Sequence, residues 1–329
     1  DVLATESNYN NHVGCPLMLL RLNKHHTHAV IEMGANHPHE IEYLTKIVKP
    51  DIAILNNAGA CHLEGFGSLE GVAEAKAEIF LGLAKEGTAI INADDAFAEK
   101  WLQDVIDFKR LTFGIKSTAD VMAHQIEGRS FELELKPLNE KRKIELQLLG
   151  RHNILNALAA SAAAVAAGES IDTIQKGLER LEAVQGRLQV VKLKENVQLV
   201  NDAYNANPNS LKAGIDACNA GTRWLVLGDM RELGKEEIAI HRECGHYAKE
   251  AGFSQLFALG ELTKASVEGF GDGAISFPDH QSLLEALKEA IATYEDSTLL
   301  TILLKGSNSM NMQYFYEALL REREYRDDE

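Results

Sequence analysis

Apolar, strand-like runs alternate with helically spaced segments along almost the whole chain, and this alternation predicts parallel sheets with crossover helices. The first half reads as strands at "DVLAT", "HAVIEM", "DIAILN" and "TAIIN", with helices over about 39–48, 71–86 and 95–106. Residues 110–149 instead alternate apolar and polar side chains around polar breaks, the pattern of two or three antiparallel strands attached to the same sheet. Helices follow from Asn153 to Ala167 and near 171–182. After the crossing "LEAVQGRLQVV" the alternation restarts, with strands at "VQLVND", "RWLVLGD", "QLFALG", "AISF" and "LLTILLKG". A last helix, about 309–323, runs into the charged tail "REREYRDDE", expected to be solvated or frayed. The expected fold is α/β: a mostly parallel central domain with an antiparallel β subregion over 1–185, then a second α/β domain over 186–329.

A chain of 329 residues, 45% of them hydrophobic, suits about two domains with full cores. No run approaches the roughly 18 apolar residues of a membrane span, so no membrane insertion is expected. The alanine-rich "ALAASAAAVAAG" reads as a helix packed inside the protein. A net charge of −16 disfavours nucleic acid, whose phosphates need a basic face. Cys15, Cys61, Cys218 and Cys244 lie far apart, which fits small buried side chains in a reducing cytoplasm. The chain opens abruptly on a β-prone run, as a fragment would.

In open parallel sheets, ligands gather beyond the carboxyl ends of the strands. Glu32 ends the run "HAVIEM", His62 follows "DIAILNN", and Lys76 sits in the second turn of the next helix, so the three are expected at one edge of the sheet. At about 100° per residue, Lys76 falls on the apolar stripe of Val72, Ile79, Phe80 and Leu83, with Glu74 and Glu78 on the opposite side. Each residue also has a purely structural reading: a cap or rim carboxylate, a loop histidine, a lysine snorkelling to water. Together they suggest a divalent-cation site. A cationic lysine there would repel the ion, whereas a buried, neutral one can capture carbon dioxide and become a carbamate, an oxygen ligand.

Two glycine-rich matches to a dinucleotide fingerprint do not hold. In "GFGSLEG", followed after the next strand by "NADD", eight residues separate Asn56 from Gly65, too many for the tight turn. "GFGDGA" precedes a strand instead of following one. In "LLGRHNILNALAA", Asn153 and Asn156 share a helix face and would suit a purine edge, although the pattern favours Asn153 as an N-cap. Asp202 ends a strand and could meet a ribose hydroxyl, with Arg187 upstream to meet phosphate. The loop after it is dense in asparagine before Pro208 opens a helix. Lys305, after the last strand, suits a carboxylate or phosphate, or is simply solvated.

The segments "SNYNNHVGCPLMLLRL", "AVIEMGANHPHEI", "HLEGFGSLEGVAEAKAEIF", "LGRHNILNALAA", "NDAYNANPNS" and "LGDMRELG" stand in the order found in the Mur ligases, which the chain closely resembles over nearly its whole length. The resemblance implies an ATPase-type central domain, incomplete at its N-terminus, and a Rossmann-like C-terminal domain. It implies ATP-dependent amide-bond formation in peptidoglycan precursor synthesis: ATP phosphorylates the terminal carboxylate of a UDP-N-acetylmuramoyl-tripeptide, and the amine of D-alanyl-D-alanine attacks the acyl phosphate. On that basis Glu32, His62 and a carbamylated Lys76 meet magnesium, with Lys76 and His62 catalytic. Asn153 and Asn156 face adenine, Arg187 the phosphates and Asp202 the ribose. Asn8, Asn10 and Asn11 fall where the family meets the muramoyl peptide, while Asn205, Asn207 and Lys305 help hold the peptide and dipeptide. The enzyme is expected to be a monomer.

Three departures stand out. No G-x-x-x-x-G-K-[ST] occurs, so the phosphate loop and a UDP-binding domain are expected upstream, and the chain alone is expected to be inactive. Glu6 and Ser7 stand where glycine is expected, and Asn308 where arginine is. The alternatives are a non-catalytic nucleotide-binding paralogue or a folylpolyglutamate-type ligase.

Overall fold

The computed structural model describes residues 1–59 and 63–327, in two compact units. The first comprises Asp1–Leu146 and His152–Arg180; the second comprises Gln147–Arg151 and the chain from Leu181 onward.

The N-terminal unit runs β1 (Val2–Ala4), α1 (Gly14–Leu19), β2 (His28–Val30), α2 (Glu40–Val48), β3 (Ile52–Leu55), α3 (Leu63–Phe66), α4 (Leu69–Ala77), β4 (Thr88–Asn92), α5 (Ala98–Asp104), β5 (Lys109–Gly114), β6 (Val121–Glu127), β7 (Ser130–Leu135), β8 (Glu140–Glu145), α6 (Arg151–Ala166) and α7 (Ile171–Glu179). Its main sheet has the order β3-β4-β5-β6-β7-β8, parallel through β6 and antiparallel from there, as the change of pattern after residue 110 predicts. Successive residues of a strand face opposite sides, so Ala89 and Ile91 join α4 and α5 in one core while Ile90 joins α6 and α7 in another. The alanine-rich α6 buries Ala157, Leu158, Ala159, Ser161 and Ala162; small side chains let it lie close on the sheet.

Here one expectation is corrected. β1 and β2 do not join the main sheet but pair with each other, Val2 opposite His28 through Ala4 opposite Val30. The run "HAVIEM" is a strand for three residues only, and all three are exposed.

The C-terminal unit runs β9 (Gln189–Lys194), β10 (Val197–Asp202), α8 (Pro208–Ala217), β11 (Thr222–Gly228), α9 (Glu237–Glu250), β12 (Gln255–Leu259), α10 (Thr263–Phe270), β13 (Ala274–Phe277), α11 (His280–Ala292), β14 (Leu300–Lys305) and α12 (Gln313–Asp327). Its sheet, β13-β12-β11-β14-β10-β9, is parallel except for β9. Trp224 and Val226 face a core with α11 and α12, and Leu225 and Leu227 face the other with α8, α9 and α10: a doubly wound sheet. The sequence pattern misses β9, reading it as part of the crossing. The last helix starts later and runs further than expected, to Asp327.

Candidate active site

Glu32 lies beyond the end of β2, exposed, at the small sheet and not at the edge of the main one. Its backbone N–H donates to Thr5 Oγ1 (2.9 Å), and its Oε1 accepts from Asn10 Nδ2 (2.8 Å). Gly34 N–H in turn donates to Asn10 O (2.9 Å), so the loops carrying Asn10 and Glu32 are tied together. Asn11 caps the start of α1, its Oδ1 accepting from Val13 N–H (3.0 Å) and Gly14 N–H (2.8 Å). Asn8 is exposed and gives its carbonyl to Asn10 N–H (2.8 Å). Ser7 adopts φ +51°, which explains why the position suits glycine, and Glu6 pairs with Arg21 at 2.6 Å.

His62 lies outside the described residues. The glycines that follow it serve packing and turning. A Cβ at Gly65 would collide with the carbonyl oxygen of Asn36, so this close approach joins the segment after Glu32 to α3; Gly67, at φ +78°, makes the turn into α4.

Lys76 is half-buried in the last turn of α4, on the side of Val72 and Ala73, which are buried. The buried face of α4 is Val72, Ala73 and Ala75. The stripe residues Val72, Phe80 and Leu83 are buried and Ile79 packs against the same core, although α4 stops at Ala77 and a 3₁₀ segment, Glu78–Gly82, takes over with a tighter rotation per residue. Among the described residues Lys76 makes no ion pair or hydrogen bond. Glu74 does point outward, to Lys100 (2.6 Å). Glu78 does not: its carboxylate accepts the N–H groups of His39 (2.8 Å) and Glu42 (3.0 Å) at the start of α2, where an anion is favoured. Among the described residues no three His, Cys, Asp or Glu side chains gather as a metal ion requires.

At the ends of β3 and β4 a chain of amides forms. Asn92 Nδ2 donates to Asn56 O (2.9 Å), Asn56 Nδ2 to Asn156 Oδ1 (2.9 Å), and Asn156 Nδ2 to Asn153 Oδ1 (3.3 Å). The shared face of Asn153 and Asn156 is thus present, but Asn153 is not an N-cap, because α6 already begins at Arg151. Asn56 and Asn92 complete the run; asparagine ending two adjacent parallel strands was the signal for them. The acid of "NADD" has a different task. Asp94 accepts the N–H groups of Ile115 (2.6 Å), Ser117 (2.6 Å) and Lys116 (3.0 Å). Burial alone would raise its pKa, yet these donors outweigh it and hold the carboxyl below its ordinary value.

In the C-terminal unit, Asp202 and Lys305 are register partners at the ends of β10 and β14. Lys305 is 1% exposed; its Nζ donates to Asp202 Oδ2 (2.5 Å) and Asn205 O (3.1 Å). Burial drives the Lys305 amine below its ordinary pKa, against the opposing pull of Asp202. Neither a solvated lysine nor an open positive charge is found: the charge is matched internally. The other Asp202 oxygen accepts Leu188 N–H (3.3 Å). Arg187 is exposed, with its guanidinium 4.6 Å from the centre of the Tyr204 ring. Asn205 Oδ1 accepts from Ala206 N–H (2.9 Å), and Asn207 closes a capping box with Ser210 ahead of Pro208. Asn308 donates its amide to Tyr204 O (3.0 Å). Cys218 and Cys244 are buried, which pushes their thiols up to about 12 and about 11, and Cys15 is buried too; Cys61 lies outside the described residues.

Residues 1–164 match the Mur ligase middle domain, and residues 186–308 the Mur ligase glutamate ligase domain. The UDP-N-acetylmuramoyl-tripeptide–D-alanyl-D-alanine ligase of Escherichia coli strain K12 is 42% identical over 325 residues, covering 97% of this chain and 71% of the relative. Among solved structures, MurF from Acinetobacter baumannii superposes with a TM-score of 0.91 at 34% identity, over 97% of this chain and 70% of the other. The MurF ligase of Thermotoga maritima, solved in complex with ADP, superposes with a TM-score of 0.84 at 27% identity, over 99% of this chain and 74% of the other. A single α/β arrangement, similar residues along nearly the entire chain and two adjoining domain matches agree: the chain belongs to the Mur ligase family.

Proposed function

We infer that the chain is an ATP-dependent ligase of peptidoglycan precursor synthesis that joins D-alanyl-D-alanine to UDP-N-acetylmuramoyl-tripeptide through a new C–N bond. The observation that carries this reading is the 42% identity to the ligase of that name across 97% of this chain. Each unit carries groups that suit a nucleotide substrate. The Asn56–Asn156–Asn153 run offers both donors and acceptors to an adenine edge. Arg187, planar and already stacked on Tyr204, suits phosphate. Asp202, part-buried with both oxygens engaged, can still share a lone pair with a ribose hydroxyl.

Glu32 is a fitting magnesium donor: its carboxylate is exposed, Asn10 holds Oε1, and Oε2 carries no hydrogen bond from the described residues. Bound there with His62 and Lys76, the ion would offset the charge of the phosphates. Lys76 enters this site as a carbamate: the neutral amine forms an N–C bond to carbon dioxide and releases one proton to water, exchanging a cation for an oxygen donor. Asn8, Asn10 and Asn11 line the approach of the muramoyl peptide, and Asn205 and Asn207, on the loop fastened by Lys305, border the peptide and dipeptide. The reaction takes place in the cytoplasm; no described helix is long and apolar enough to cross a membrane.

The test is phosphate release and product formation by the intact protein with ATP, the UDP-linked tripeptide and D-alanyl-D-alanine. Turnover is expected only with all three together, and Lys76→Ala is expected to abolish it with or without added bicarbonate. Near wild-type turnover by that variant would remove the carbamate role. ADP binding without turnover in the unsubstituted protein would remove the ligase reading itself.

A further inference from the structure

At the carboxyl edge of the C-terminal sheet, Lys305 is buried against Asp202, whereas Arg231 on the neighbouring loop pairs with Asp229 and stays 55% exposed. β11 and β14 are adjacent, with Leu227 opposite Lys305, so their loops leave the sheet side by side. Gly306 makes this possible, since a Cβ there would press on the backbone of Gly228. The two loops are then laced together: Ser307 N–H donates to Asp229 O (3.0 Å), and Arg231 N–H to Ser307 Oγ (2.8 Å). Met230 N–H is held from below by His241 Nε2 (3.0 Å). The backbone that carries Arg231 is therefore rigid.

The guanidinium is oriented as well. One nitrogen, Nη2, lies 3.3 Å from Asp229 Oδ2 and 3.8 Å from Met310 Sδ. Asp229 is 1% exposed and is fixed in turn by the N–H of Thr263 at the start of α10 (2.9 Å). Asp229 Oδ2 has no hydrogen-bond partner of good geometry, so it aligns the guanidinium by charge alone. Nε and Nη1 bond to no described residue, and the Arg231 side chain is 55% exposed. Across the same short loop, Asn308 meets Tyr204 and Asn205, so Arg231 borders the wall that these residues form. A guanidinium oriented through Nη2, with the Nε and Nη1 donors left over, is preorganised for an anion.

We propose that Arg231 is a specificity-determining residue that anchors the terminal carboxylate of the incoming dipeptide. This rests on the ligase reading above. The probe is D-alanyl-D-alanine against its C-terminal carboxamide, compared as a ratio of kcat/KM in the intact protein. That ratio does not depend on how much of a variant is folded. The unsubstituted protein is expected to prefer the free carboxylate by about tenfold to a hundredfold, the size of a charge-assisted bond. Arg231→Met is expected to bring the ratio close to unity through the KM for the dipeptide, while the KM for ATP holds. Arg231→Lys, which keeps a partner for Asp229 but loses the planar fork, is expected to fall between the two. An unchanged ratio in Arg231→Met overturns the proposal, as does a rise in the KM for ATP alone, which would assign the anion to the nucleotide. Absence of product from the unsubstituted protein overturns the ligase reading and this proposal together; an unchanged ratio overturns this one only.

Discussion

At the ends of β3 and β4, a run of amides leads from buried Asn92 to exposed Asn156, whereas at the ends of β10 and β14 a part-buried carboxylate meets a buried ammonium. Both units present the carboxyl ends of parallel strands, so the difference does not come from architecture. It comes from what each end must do in the absence of a ligand. A buried charge must be matched within the protein, because leaving it alone costs far more than an ion pair contributes. An exposed amide is satisfied by water and can exchange that water for a ligand at little cost. Reading a strand-end residue as a binding group is therefore safer in the N-terminal unit, where Asn156 and Glu32 are exposed.

The strongest way to break this comparison is Lys305→Met. It leaves Asp202 with an uncompensated charge, and a loss of about 3–5 kcal/mol is expected. Trp224 lies in β11 and Trp101 in α5, so a urea melt followed by tryptophan fluorescence in a Trp101→Phe background reports the C-terminal unit alone. Adding Asp202→Leu should restore part of the loss. A melt unchanged by Lys305→Met would mean that the pair is not structural.

A smaller effect is expected at Asp94, the carboxylate of the N-terminal unit that is engaged as firmly as Asp202. Asp94→Asn should cost about 1–2 kcal/mol at neutral pH, read by Trp101 in a Trp224→Phe background. The folded pKa of Asp94 is lowered, so its contribution is complete above the unfolded value of about 3.9 and is lost as pH falls through the lower folded value. The gap between the two proteins should therefore narrow below about pH 4. A gap that stays constant from neutral pH into that range would contradict the assignment.

Asn156→Ala sharpens the comparison from the other side. Stability should move by less than about 0.5 kcal/mol, as for an exposed site, while the affinity for ADP falls by about threefold to tenfold in calorimetry. A large stability loss with intact ADP binding would make the amide run structural.

Much of this arrangement is legible in local pattern. The alternation along the chain is realised in two parallel-dominated units, and the switch to antiparallel pairing after residue 110 is found where the period-2 pattern begins. The asparagine–proline start of α8 and the buried alanine-rich α6 need only short windows to read. Pattern fails where one residue of an element changes the geometry. Extending a single helical period past Ala77 turned Glu78 outward, because periodicity carries no signal of the passage from α-helix to 3₁₀.

Composition and spacing alone determined the α/β class, the two-part organisation and the strand ends where polar residues collect. These follow from local rules, since helix and strand periods and turn chemistry depend on neighbouring residues. Only the tertiary structure decided which of those polar residues are already taken. Lys305 meets Asp202 across 103 positions, Asn156 meets Asn56 across 100, and Glu78 serves a helix 36 residues earlier. Such pairings depend on strand register and packing, and burial then sets whether a side chain must find its partner inside the protein or stays available to a ligand.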